Sequence, residues 1–345
     1  MDEALEIARG TGDQRTIAAV LSEFHRALHG PNAMPEAIAM ADELESLAAS
    51  LADDDIAFQA LNLRLLATAA LGQWERAQRT ATQLAAMAER LRHIEGRRIS
   101  LSWFVCAAFA QGRFDEAHQL IRELKVLLVN YPAADFEAMM GVLQFVEPWL
   151  GGHSALLRTL SERSRSGTTI SPVWFAAEAG QLDDVNGLLA ALPPTADNNR
   201  RFDYLWWNDI VGRTRIALRT GDRALASDLL DMLIPFADGH AQMGAVCFLG
   251  TGHFHLGTLH YVLGDFDAAI ASYERAIELH QAMQARPWVA FAQAELAVAL
   301  EARDAPGDVA RANELRDASR AVAEELKLGL ILETLDRPGG VLPDD

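Results

Sequence analysis

A glycine-centred turn followed by an amphipathic helix recurs along the whole 345-residue chain, at Gly30, Gly72, Gly112, Gly151, Gly180, Gly221, Gly264 and Gly307. The interval is about 40 residues throughout, except for one shortened step between Gly151 and Gly180, and such a period is the mark of stacked helical hairpins. Each hairpin buries its apolar face only against its neighbours, so an array can exceed the length of a usual single core. Runs of Val, Ile and Thr suited to strands are absent, and half of the residues are hydrophobic, mostly Ala and Leu. The pattern predicts at least fourteen helices and no sheet.

One unit is especially well defined. Val246 to Gln281 reads VCFLGTGHFHLGTLHYVLGDFDAAIASYERAIELHQ. Leu256–Gly257, Tyr261, Gly264–Asp265–Phe266, Ala269, Tyr273 and Ala276 fall at the spacing of a tetratricopeptide-type repeat, which this stretch resembles. Gly257, Ala269 and Ala276 stand where two helices must approach closely, and Phe266 and Tyr273 where a ring fills the gap between hairpins. LGQWERA, QGRFDEA and GDFDAA repeat one signature: an aromatic two residues after the turn glycine, then a polar residue and Ala. The fold class expected is therefore all-α, a right-handed α-solenoid of about seven to eight TPR-like hairpins. Residues 1–335 form one such domain, with an irregular middle near 148–200 and a disordered tail at 336–345. In that middle, Pro148 is expected to end a helix, SERSRSGTTISP (161–172) to form an extended loop, and Pro193–Asn199 a second loop.

The formal charge of −18, from 48 acidic and 30 basic residues, argues against direct binding of nucleic acid or anionic membrane. No apolar stretch is long enough to span a bilayer, and the N-terminus has no signal-peptide pattern, so a cytoplasmic location is expected. Cys106 and Cys247 read as small buried residues. The Asp53–Asp55 triplet reads as a linker that favours the next helix N-terminus. His253, His255 and His260 lack the intervening ligand spacing of a metal site, so neither a metal nor a cofactor is expected. No nucleophile motif is present, which weighs against an enzyme.

The last hundred residues, with Ala285–Arg286–Pro287–Trp288, Ala305–Pro306–Gly307–Asp308 and Gly221–Asp222, resemble the C-terminal helical domain of MalT-like and LuxR-type regulators and related STAND ATPases of bacteria. In that family the helical domain is a sensor arm that binds an inducer or partner and controls an ATPase core. This chain has no GxxxxGK[ST] phosphate loop and no basic helix-turn-helix, so ATPase and DNA-binding roles do not carry over. The resemblance implies a non-enzymatic ligand- or protein-binding arm of a transcriptional or signalling regulator. It would be either an excised sensor domain or a free-standing relative. The alternative is a stand-alone small-molecule-binding protein or enzyme that uses the concave groove as its pocket.

Aligning the turn glycines places Phe145, Trp174, Asn208, Val211 and Arg215 on the inner helices that would line such a groove, with Trp207 at its edge. Phe254, Thr258 and Tyr261 fall in the same slots, as do Ser102, Cys106 and Phe109. Such a lining suits a protein partner or a small apolar or anionic ligand, with Arg215 as its main cation. Homo-oligomer formation is compatible with it.

Overall fold

A computed structural model describes residues 2–24, 30–132, 139–164, 169–192 and 205–337. The loop expected at Pro193–Asn199 and the tail from 338 onward lie outside the described residues. Within them are eighteen α-helices, and the chain is an all-α helical-repeat solenoid.

The first hairpins are α1 (Asp2–Thr11) with α2 (Gln14–Phe24), then α3 (Met34–Leu51) with α4 (Asp54–Ala70). The acidic triplet acts as the sequence predicts: the Asp53 carboxylate caps α4 by accepting from the amides of Asp55 and Ile56. Next come α5 (Trp74–Leu91), α6 (Ile94–Ala110) and α7 (Phe114–Leu127). The alternating helices α4 and α6 have ten buried residues each, spread over more than one face, because other elements pack against them on several sides. α5 and α7 are buried along one stripe only, Ala77, Ala81, Leu84 and Ala88 in the former, so they form the outer layer.

The irregular middle is more helical than its sequence suggests. Pro148 sits within the first turn of α8 (Val146–Leu150), where its missing amide costs no hydrogen bond. The stretch read as an extended loop begins inside α9 (Ser154–Ser164) and ends inside α10 (Ser171–Glu178). Ser161 is fully buried, so a polar residue stands on the packed face and hides the apolar period. After α11 (Leu182–Ala190) the array continues with α12 (Trp206–Thr220) and α13 (Arg223–Leu233).

A two-stranded antiparallel ribbon then replaces the start of the expected next helix. β1 (His240–Met243) pairs with β2 (Cys247–Thr251), with His240 opposite Thr251 and Gln242 opposite Phe248. The expectation of no sheet is corrected here. Gly244 turns the ribbon at φ 59°, and Gly250 lies so close to the Trp288 ring that a Cβ would stand 2.9 Å from it. Both positions need glycine for a reason other than helix packing.

The well-defined repeat thus starts later than its sequence match, with Thr251 capping α14 (Gly252–Leu263). α14 pairs with α15 (Phe266–Ala282), α16 (Arg286–Arg303) with α17 (Asp308–Leu326), and α18 (Gly329–Asp336) closes the described chain. α18 takes in residues that the sequence reading left as the end of the domain and the start of a tail. At Gly257 a Cβ would lie 2.6 Å from Cδ1 of Tyr273, confirming the close approach. Tyr273 fills space within its own hairpin, its hydroxyl donating to Thr258 Oγ1 at 3.2 Å, rather than between hairpins. Gly257→Ala would ordinarily help a helix, yet here it should lower stability by about 1–3 kcal/mol, because the overlap outweighs helix propensity. Thermal or urea melts of the variant check this; a gain in stability would contradict the packing.

The array does not stay open. The α6–α7 turn meets the α15–α16 turn, where Gln111 Nε2 donates to the carbonyl of Met283 at 2.9 Å. Gly152 lies against Gly329 and Leu330, Gly72 against Asp238 and His240, and Trp149 against Trp288 with ring centroids 5.9 Å apart. Elements far apart in sequence therefore pack across the middle, with the ribbon seated between α4, α6, α8 and α12 on one side and α14 and α15 on the other.

Candidate binding surfaces

The residues expected to line a concave groove are brought to the inner side, and there they are packed away. Phe145 is 9% exposed, and Trp174, Trp207, Asn208, Val211, Arg215, Phe254, Thr258 and Tyr261 are all at 4% or less. Ser102, Cys106 and Phe109 are likewise buried. Both cysteines are free thiols in the interior. The physical reason is closure: the inner helices and the ribbon fill the space that an open superhelix would leave to solvent.

Arg215 shows what the inner side is built around. Its Nε donates to Glu178 Oε1 at 2.6 Å, and Arg219 Nη2 donates to Glu178 Oε2 at 2.9 Å. The indole NH groups of Trp149 and Trp174 donate to the same Oε1 at 3.1 and 3.2 Å. On the other side Arg215 Nη1 stands 3.5 Å from Glu295 Oε1, and Glu295 also pairs with Arg337. The Arg215 guanidinium lies 5.4 Å from the Phe291 ring centroid and 5.9 Å from that of Trp149, within cation–π reach. Burial alone would raise the Glu178 pKa; the two guanidiniums reverse this and hold it well below the usual carboxylate range. Arg215 is thus a buried ion-pair partner, held between the protein's own carboxylates Glu178 and Glu295.

The histidines are also sorted differently from their order in sequence. His253 and His260 lie near the surface beside Asp238 and Asp265. His255 joins His240 and His280, both distant in sequence, around strand β2. His255 Nε2 meets the Leu249 carbonyl at 2.8 Å and His280 Nδ1 meets that of Trp288 at 3.1 Å. His240 packs against Phe248, with centroids 5.3 Å apart. Among the described residues no group of three or more His, Cys, Asp or Glu could hold a metal ion.

Open surface of binding character lies outside. A cleft of about 770 Å³ runs between α5 and α7 with α6 as its floor. Leu101, Phe104 and Leu127 supply its apolar lining, and Glu89, Arg97, Arg122 and Glu123 its charged rim. Val126 lines it at 77% exposure, with Val129 beyond at the same value. Sequence reasoning missed these residues although one signal was present. The buried stripe of α7 is Ala117, Ile121 and Leu124, and Val126 falls two residues off it, an apolar side chain on the solvent face. A second, polar recess of about 440 Å³ lies where α5 meets the α6–α7 and α15–α16 turns, lined by Gln78, Arg79, Gln111, Arg113 and Gln284.

With this geometry in view, the chain is a helical-repeat solenoid in which one hairpin is tetratricopeptide-like. The tetratricopeptide repeat family matches residues 250–282, which span the end of β2 and the whole of α14 and α15. No curated protein matches the chain. Among the described residues no helix is long and apolar enough to cross a membrane.

Proposed function

We propose that this chain is a protein-docking module, the interaction arm of a bacterial signalling or transcriptional regulator of the MalT-like and LuxR-type class. It takes its partner on the outer cleft between α5 and α7. The observation that carries this reading is the distribution of open apolar surface: the inner side is occupied by the chain's own ribbon and tryptophans, whereas Val126 and Phe104 line an outer cleft. Helical repeats commonly serve protein–protein contact, and an exposed apolar patch with a polar rim is the usual sign of it. The residues behind the regulator resemblance serve the fold itself. Pro287 opens α16, Trp288 fills the centre, and the Asp308 carboxylate accepts from the Ala305 amide at 3.0 Å to close a turn. They therefore support the likeness of the scaffold, and the regulatory role rests on the cleft.

The test is hydrogen exchange on the full chain, alone and with candidate regulator proteins encoded beside it. Protection of 97–104 and 119–127 on addition of one such protein is the expected result. Binding that protects other segments and leaves this cleft exchanging freely would reject the assignment.

A further inference from the structure

The cleft also carries the features of a surface that fits itself. This step rests on its being a docking site and names the occupant. A two-fold symmetric contact requires that one patch hold both the ridge and the groove it enters. α7 and the turn after it meet this condition, because Val126 projects from the helix and Val129 from the turn, while Leu101, Phe104 and Leu127 form the hollow. The charges point the same way. The chain as a whole carries −18 and repels its own copies. Around this cleft, however, Arg97 and Arg122 balance Glu89 and Glu123. Arg97 Nε already stands 3.9 Å from Glu89, while Arg122 has no ion-pair partner among the described residues. Glu123 accepts only a 3.4 Å hydrogen bond from Gln119. An unpaired cation and an all but unpaired carboxylate sit at neighbouring positions on one helix.

We propose that the α5–α7 cleft binds a second copy of this chain. The two α7 helices cross antiparallel near Arg122, so that Arg122 of each copy meets Glu123 of the other. Each Val126 then enters the apolar hollow of the opposite copy. Neutral balance lets two strongly acidic chains meet here without the repulsion that opposes contact elsewhere, and burial of the exposed valines supplies the driving force.

Sedimentation of the full chain from about 1 to 200 μM should show a monomer–dimer equilibrium, a range that reads dissociation constants near micromolar. Val126→Asp, at a site too exposed to disturb the fold, should raise the dissociation constant at least about tenfold with an unchanged melting curve. Arg122→Glu and Glu123→Arg should each be monomeric alone, since each places like charges across the axis. Mixed together they should form a heterodimer, because every crossing pair again joins opposite charges. Monomers at all concentrations would overturn the proposal and leave the docking of a different protein, tested separately by exchange, standing. A dimer indifferent to Val126→Asp, or a mixture of the two charge variants that fails to associate, would overturn it as well.

Discussion

Glu178→Gln should be among the most damaging conservative substitutions in the molecule, lowering stability by about 3–5 kcal/mol. The amide keeps the volume and still accepts a hydrogen bond from an indole, so little packing changes. What it removes is the charge that compensates Arg215, whose side chain is 1% exposed, and Arg219, whose side chain is 21% exposed. An unpaired guanidinium in that position has lost its water without regaining a counter-charge. The effect should spread, because Glu178 ties α10 to α12 and, through Arg215 and Glu295, to α16. Arg90→Ala, which breaks the exposed pair with Asp54, should leave the melt almost unmoved. Urea melts of both variants decide the matter. Equal effects would mean that the central network contributes no more than a surface pair.

Acid should weaken the fold before any carboxylate titrates. Burial pushes the pKa of His240 down to about 4, and those of His255 and His280 to about 3. For His255 the Leu249 carbonyl opposes the shift and the positive charge of Arg215 adds to it; for His280 the neighbouring histidines add to it. Above pH 6.5 all three are neutral in the folded and unfolded chain, and they give no pH dependence. Below 6.5 the unfolded chain takes up protons that the folded chain refuses, so stability falls as pH falls toward about 4. The slope is about 1.4 kcal/mol per pH unit for each histidine, or about 4 for the three. By pH 5 the summed loss, on the order of 6 kcal/mol, is comparable with the whole stability of an ordinary domain. Half-buried His260, its pKa also lowered by burial, acts in the same direction. Glu178, whose folded pKa is depressed, contributes above 4.5 and loses its share only below that, so the two windows separate. Melting temperatures measured between pH 7.5 and 4.5 should fall steeply from pH 6.5 downward, and His240→Asn should make that fall about one third shallower. A flat profile to pH 5 would show that the three rings are not held neutral.

The sequence by itself determined the class of the fold and the register of its outer surface. The turn glycines, the capping Asp53 and the close approach at Gly257 are local or nearest-neighbour features. They depend on backbone sterics and on helix period, which a linear pattern records directly. The same pattern read Arg215, Phe254 and Trp174 as the lining of an open groove, whereas all three are buried.

Whether that inner side is open or closed is a different kind of fact. It depends on the small rotation from each hairpin to the next, summed over the array, and on what the far end then meets. Only the tertiary structure decided that Trp149 would reach Trp288, that Glu178 would hold Arg215 and Arg219, and that a glycine-punctuated ribbon would fill the centre. The ribbon was missed because its residues flank a strong repeat signature and were absorbed into it. The outer cleft was missed because its apolar residues mean nothing until their helix has a buried side and an exposed one. Burial assigns those sides, and burial is a property of the assembled array rather than of any one hairpin.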